Sequence, residues 1–200
     1  MNKIQTFKEK LNKSIETYYP YNIDYYTQEI EYKNSIEYKN FVKKVENRPN
    51  EIGLSQELEK ITSMLRSFYN FKFQDMTIPH HLDPCFNFQI SKITNGNYYL
   101  IILLRSVISP IYFLRAFTCR VNAEKNKSTS PLIQIEDPFV SEIRNEFEEI
   151  NNYLSNNLRL TPFPPSYYHV TLPNYSSPER SIGNLKIFQA LFIDQDIYFE

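Results

Sequence analysis

The sequence predicts an α+β fold in which N-terminal helices precede a largely antiparallel sheet of about five to six strands with one inserted helix. Three observations lead to this prediction. Apolar residues at helical spacing dominate the first third of the chain, an Asn95-Gly96 pair separates two β-rich runs, and Asp137-Pro138 marks the start of a later helix. We expect residues 1–200 to form a single domain, with residues 1–50 as a possible helical annex packed on it.

The first third of the chain is expected to hold three helices. The first covers residues 3–18, because apolar side chains recur there every three or four residues. A long second helix is predicted from Asp24, its N-cap, to about Asn47. A third helix is expected to start at the Ser55 cap, after a break at Gly53.

A hairpin forms the centre of the predicted sheet. Asn-Gly adopts the positive φ angles of a type I′ turn without strain, so the runs on either side of it are expected to pair. The run 98–104 is apolar on both faces, which predicts a central strand covered by helices on at least one side and by further protein on the other. Further extended segments are expected at 111–121, 167–172 and 186–193, the last pairing with 197–199.

Composition excludes several functional classes. The formal charge of −1 gives no electrostatic reason to expect nucleic acid or an anionic membrane as the main partner. The three glycines lie far apart, so the chain has no dinucleotide fingerprint, P-loop or nucleophile elbow. No apolar run approaches the roughly 20 residues that span a bilayer, and the first residues lack the apolar core of a secretory signal. We expect a cytoplasmic protein without a cofactor.

Possible metal ligands are concentrated in one short segment. His80, His81, Asp83 and Cys85 lie close together, but a defined metal site generally draws ligands from a second element, and no matching spacing recurs. We therefore predict a loop that enters a strand, without a metal. Cys85 and Cys119 are predicted to be reduced core thiols, because a chain without an export signal seldom forms disulfides.

A lone histidine supports an enzymatic alternative. The triplet His169-Val170-Thr171 resembles one half of a 2H phosphoesterase, a family that grips phosphate with two His-x-Ser/Thr motifs on paired strands. The second copy is missing from this sequence. The alternative is a phosphoesterase or transferase that uses His169 with the loop from His80 to Cys85. Asp194 and Asp196 are interpreted as part of a turn rather than as metal ligands.

Three arginines support a second alternative, a module that binds single-stranded nucleic acid. Arg105, Arg115 and Arg120 are expected on one face of the sheet among tyrosine and phenylalanine side chains. Such a surface is typical of a platform on which bases stack. The near-zero net charge makes nucleic acid an unlikely partner.

The favoured prediction is a non-enzymatic protein-binding domain. Glu142, Glu146, Glu149 and Tyr153 recur on the outer face of the inserted helix, and we expect no lysine to balance their charge, with only Arg144 nearby. Such a face is either simply solvated or meets a basic partner, for which Tyr153 would be the anchor. A small chain without catalytic motifs fits a cytosolic immunity protein that neutralises a toxin domain in bacterial competition, and the acidic face fits a basic toxin domain.

Overall fold

The computed structural model describes residues 3–48, 50–77, 82–122, 127–128, 130–138 and 142–193. Within these residues the chain forms a seven-stranded sheet between two layers of helices. The α+β class, the helices that precede the sheet and the helix inserted between its strands are confirmed.

The sheet is built on long antiparallel strands in chain order. These are β1 (Lys72–Asp75), β2 (Cys85–Thr94), β3 (Asn97–Ser106) and β4 (Ile111–Asn122). Asn95 and Gly96 have φ angles of 49° and 72°, so the predicted type I′ hairpin between β2 and β3 is confirmed. Since β3 lies between β2 and β4, the prediction of a central strand is confirmed as well.

Three two-residue strands cover parts of the outer edge of β4. They are β5 (Lys127–Ser128), β6 (Ile133–Gln134) and β7 (Thr161–Pro162). β6 runs antiparallel to β4 and pairs with residues 117–118, whereas β7 runs parallel to it and pairs with residues 111–112. Both strands therefore run toward Leu114 from opposite ends of β4.

Helices cover both faces of the sheet. On one face, α1 (Lys3–Tyr18), α3 (Ile36–Glu46) and α6 (Ile187–Leu191) form the first core with the sheet. On the other, α4 (Ile52–Arg66) and α5 (Arg144–Asn152) form the second core. Consecutive residues of β3 alternate between these cores, as the pleat of a strand requires, and this explains why residues 98–104 are apolar throughout.

The predicted single helix from Asp24 to Asn47 is wrong. The chain forms α2 (Glu29–Asn34) and then α3, separated by Ser35 in an extended conformation with ψ of 153°. The Ser35 hydroxyl accepts a hydrogen bond from the Tyr38 backbone N–H at 3.2 Å. Ser35 thus caps a new helix, a role for which serine competes well against helix continuation.

Two other helix boundaries differ from the prediction. α4 begins at Ile52, so Gly53 lies in its first turn instead of breaking the chain. Burial of the apolar face that starts at Leu54 outweighs the weak helix propensity of glycine. The inserted helix begins at Arg144 and not at Asp137-Pro138. Pro138 has a 3₁₀ conformation, which proline also favours because of its fixed φ angle.

The last third of the chain contains less strand than predicted. The segment 167–172 is not a strand, because Pro165–Tyr167 forms a 3₁₀ turn and only Thr171 makes an isolated bridge, to Lys186. Proline at the start of such a turn supplies the required φ angle. The apolar run 186–193 holds α6, since a short apolar run suits a buried helix as well as a strand. Asp194, Asp196 and the predicted strand 197–199 lie outside the described residues.

Candidate functional site

A cleft of about 1080 Å³ opens at the outer edge of β4, and we call it the edge cleft. Its lining comes from β4, α5 and the segments that follow β6 and β7, and it includes Leu114, Arg115, Ile135, Asn151, Leu160 and His169.

The cleft forms where β6 and β7 stop pairing with the outer edge of β4. Ile135 N–H donates to the Ala116 carbonyl at 2.8 Å, and Phe163 N–H donates to the Tyr112 carbonyl at 2.7 Å. Alternate residues of a strand turn their backbone groups to the same side, so Leu114, between these two, also faces the edge. Beyond Ile135 and Phe163 the two segments diverge, and the edge at Leu114 borders the cleft.

The wall on the second-core side combines apolar and polar groups. Leu114, Phe147 and Leu160 are buried apolar side chains that line it. The Tyr112 hydroxyl donates to Asn151 Oδ1 at 2.7 Å, and Asn151 also lines the cleft. The wall therefore offers an apolar surface with a few fixed hydrogen-bonding groups, which is the usual make-up of a binding site.

Arg115 provides the cationic group on the first-core side. Its Nη1 donates to the Leu114 carbonyl at 2.9 Å. The guanidinium carbon lies 5.1 Å from the Phe113 ring centroid and 5.3 Å from that of Tyr168. Its Nε is buried and makes no hydrogen bond to any described residue. Arg115 is thus held by two aromatic rings with one donor unused by the described part of the chain.

His169 lines the mouth of the same cleft, where it is exposed. Glu136 and Asp137 line the cleft too. Among the described residues His169 contacts the Tyr168 ring, at 6.4 Å between centroids, and has no hydrogen-bond partner. A general base requires a second group that orients it, and no described residue does this for His169.

The loop from His80 to Cys85 was expected to assist His169, but its described residues do not line the edge cleft. Asp83 lines a separate small hollow with Tyr19 and Tyr32. Cys85 is buried at the start of β2, opposite Ser106. His80 and His81 lie outside the described residues. The strand expected to carry His169 is absent from residues 167–172, so the resemblance to a 2H phosphoesterase lacks its structural context.

The two cysteines are free and buried. Cys85 pairs across β2 and β3 with Ser106, whereas Cys119 pairs with Tyr98 at the other end of β3. Burial raises the pKa of the Cys85 thiol well above its ordinary value. The prediction of reduced core thiols is confirmed. In the described ranges, no group of three or more histidine, cysteine, aspartate or glutamate side chains could hold a metal ion.

The three arginines do not share one face of the sheet. Arg105 forms an ion pair with Glu57 of α4, on the second-core side, with Nε and Oε1 2.6 Å apart. Arg115 lies on the first-core side, over Phe113. Arg120, five positions after Arg115, is on the opposite pleat face from it. The predicted common stacking surface is therefore wrong.

The acidic face of α5 is partly neutralised. Lys92 Nζ of β2 lies 3.1 Å from Glu146 Oε1, so the expectation that no lysine balances this face is wrong. Glu142 and Glu149 are exposed, and Tyr153 is half-buried against the second core. A partner-binding role for Glu142, Glu146, Glu149 and Tyr153 stays a prediction.

No protein-family model matches the chain, and no curated protein or solved structure matches it either. No helix in the described ranges is both long and apolar enough to cross a membrane. Function therefore has to be inferred from the residues of the edge cleft.

Tyr112 gives the cleft wall a measurable pH dependence. Burial raises the pKa of its phenol from 10.0 to about 12. Between about pH 10 and pH 12 the unfolded chain loses the Tyr112 phenol proton, whereas the native state still holds it. The stability that Tyr112 contributes is therefore complete below pH 10 and is lost as the pH rises toward about 12.

We expect Tyr112→Phe to remove this dependence. Near neutral pH the variant should be about 1 kcal/mol less stable, because Asn151 loses its hydrogen-bond donor. Urea unfolding at pH values of about 9 and about 11.5 should show that wild type loses more stability over this interval than the variant does. Replacing the exposed Tyr69 by Phe is the control, and equal pH dependence of all three proteins would contradict the prediction.

Proposed function

We propose that this chain is a non-enzymatic protein-binding domain that takes an extended segment of its partner into the edge cleft, beside Leu114. The observation that supports the proposal best is the interrupted edge of β4. Within the described residues, β6 pairs with residues 117–118 and β7 with residues 111–112. The backbone of Leu114 lies between these pairings and faces the cleft.

An added strand would use backbone groups that a sheet edge presents by default. The Leu114 carbonyl accepts one hydrogen bond from Arg115 and, like any carbonyl, has a second lone pair. Strand addition at an exposed edge gains affinity from main-chain hydrogen bonds and specificity from pockets for alternate side chains. The apolar wall at Leu114, Phe147 and Leu160 would receive such side chains.

Exposed apolar residues lie next in sequence to residues that line the cleft, such as Gln134 and His169. Leu132 and Ile133, at the start of β6, are 44% and 58% exposed. Val170, next to His169, is 41% exposed. A partner that extends past the cleft over these neighbouring residues would bury apolar surface, from which binding energy between proteins is generally gained.

As a biological role we propose the cytosolic immunity protein expected from the sequence, one that neutralises a toxin domain in bacterial competition. The support is a cleft with binding groups but with a histidine that no described residue orients. Exposed acidic residues lie at the cleft (Glu136 and Asp137), just before α5 (Glu142) and on α5 (Glu149), and they fit a partner with a basic surface.

A pair of neighbouring asparagines provides a sharp test. Asn156 and Asn157 are both exposed and lie in the same π-helical turn, but only Asn156 lines the cleft. Peptides selected from a random displayed library should bind the Asn156→Trp variant at least about tenfold more weakly, because an indole at the cleft lining would obstruct part of the space that the peptide occupies. The Asn157→Trp variant should bind them within about twofold of wild type.

Three outcomes would contradict the proposal. The library could yield no binder, or both variants could keep full affinity. Alternatively, Glu149→Lys, and not Asn156→Trp, could abolish binding, which would place the site on the acidic face of α5. Co-expression with a toxin domain tests the biological role, since wild type and Asn157→Trp should restore growth and Asn156→Trp should not.

A further inference from the structure

We propose that Arg115 determines the specificity of the edge cleft by binding a carboxylate carried by the partner segment. This inference rests on the proposed function, because it names the group that the bound segment must present. It follows from the geometry of Arg115 and from a comparison with the other cationic side chains of the chain.

The described part of the chain satisfies the guanidinium of Arg115 only in part. Nη1 is engaged by the Leu114 carbonyl. Nε is buried, and no described residue accepts its hydrogen. The Nε–H and Nη2–H bonds of arginine point in parallel and match the two oxygens of a carboxylate. A buried donor without an acceptor is costly, and a bound carboxylate would remove that cost.

Two aromatic rings hold this group in place before any partner arrives. The rings of Phe113 and Tyr168 lie 5.1 Å and 5.3 Å from the guanidinium carbon. Phe113 is fully buried, and its ring is also 5.2 Å from that of Phe188 in the first core. A cation fixed in this way loses little conformational freedom on binding, which favours affinity.

Several other cations of the described chain pair with a carboxylate. Arg105 pairs with Glu57, Lys92 with Glu146 and Arg144 with Glu148. None of the carboxylates in the described ranges forms an ion pair with Arg115. Arg115 is therefore a half-buried cation that lines the cleft and has no ion-pair partner among the described residues.

The remaining charges of the cleft favour a single carboxylate over a phosphate chain. Glu136 and Asp137 also line the cleft, and both are exposed. Bringing like charges close together costs free energy, so Glu136 and Asp137 would repel a ligand with several negative charges. A peptide segment that carries one acidic group can place it at Arg115 and leave its neutral or basic residues near the acids.

The test uses the displayed peptide library on wild type and on Arg115→Gln. We expect the wild-type selection to enrich aspartate or glutamate at one fixed position and the Arg115→Gln selection not to do so. A selected peptide, synthesised with an amidated C-terminus, should lose at least about tenfold in affinity for wild type when its acid is replaced by the amide. The same replacement should change its affinity for Arg115→Gln by less than about twofold, which isolates the pairwise interaction.

Two further variants test whether misfolding of Arg115→Gln could explain its loss of the acidic preference. Arg115→Lys keeps the charge but loses the planar fork, so it should retain only part of the preference for the acidic peptide. Arg120→Gln, on the same strand, should behave as wild type. Thermal unfolding followed by circular dichroism identifies any variant that has lost its fold, and the inference is then decided by Arg115→Lys.

Each other result overturns a defined part of the proposal. Peptides that are blocked by Asn156→Trp but show no acidic position would overturn the carboxylate inference and leave the binding function intact. A preference that requires a free C-terminus would identify the chain end as the carboxylate. Displacement of the peptide by inorganic phosphate at lower concentration than by acetate would assign the site to phosphate and refute the inference. Failure to select any peptide would refute the proposed function first.

Discussion

Replacing Phe113 by Ala is expected to lower the free energy of unfolding by about 3–5 kcal/mol, because a fully buried aromatic ring is lost from a packed core. Phe113 is 0% exposed, and its ring lies 5.4 Å from Tyr168, 5.2 Å from Phe188 and 6.1 Å from Phe192. Deleting the ring leaves a void among three other rings, and aromatic contacts of this kind add to the energy of burial alone.

Urea unfolding of the two proteins measures the effect, and Tyr69→Ala is the matched control. Tyr69 is 91% exposed, so its loss should change the free energy of unfolding by less than about 0.5 kcal/mol. A loss below about 1 kcal/mol for Phe113→Ala would show that the ring is not packed as described. The same ring contacts the Arg115 guanidinium, so Phe113 links the stability of the first core to the geometry of the proposed site.

The parts of the fold that sequence predicted correctly depend on local signals. Asn95-Gly96 specifies its own turn, because few other pairs adopt two successive positive φ angles without strain. The run 98–104 contains no charged residue on either face and directly follows the Asn-Gly turn, and together these two signals indicate a strand that is covered on both sides. These signals need no knowledge of what lies elsewhere in the chain.

The errors arise where two local structures compete and distant contacts decide. Ser35 suits a cap as well as an exposed helical position, and the choice depends on packing that spacing does not encode. The run 186–193 is apolar except for Lys186 and Gln189, so its period cannot separate a buried helix from a strand. Lys92 meets Glu146 only because β2 passes beneath α5, and nothing in either segment specifies that approach.

The edge cleft was not predicted because its parts are short and far apart in sequence. β6 and β7 have two residues each, too few to show a period of two. One signal was visible, however. Arg115 interrupts a pleat face of β4 that is otherwise apolar, at Ile111, Phe113 and Phe117. A charge on such a face requires either an internal partner or a ligand, and this signal could have identified Arg115.

The ion pair between Arg105 and Glu57 supports the second prediction. Glu57→Ala is expected to lower the free energy of unfolding by about 3 kcal/mol, because it leaves a guanidinium charge buried without its carboxylate. The side chains of Arg105 and Glu57 are only 7% and 20% exposed. Arg105 Nη1 keeps hydrogen bonds to the Ser106 and Ser109 carbonyls, but these carry no counter-charge, so the variant cannot recover the loss.

A surface pair gives the matched control. Arg144 and Glu148 are 59% and 37% exposed, and Glu148→Ala should cost less than about 0.5 kcal/mol, because solvent screens exposed pairs. Raising the salt concentration to about 1 M should weaken the surface pair and change the buried pair little. Urea unfolding of Glu57→Ala and Glu148→Ala at low and high salt measures both effects. Equal losses in the free energy of unfolding for the two variants would show that solvent reaches Arg105. The double variant Arg105→Met with Glu57→Leu should recover most of the stability, because two apolar side chains of similar volume avoid the cost of burying charge.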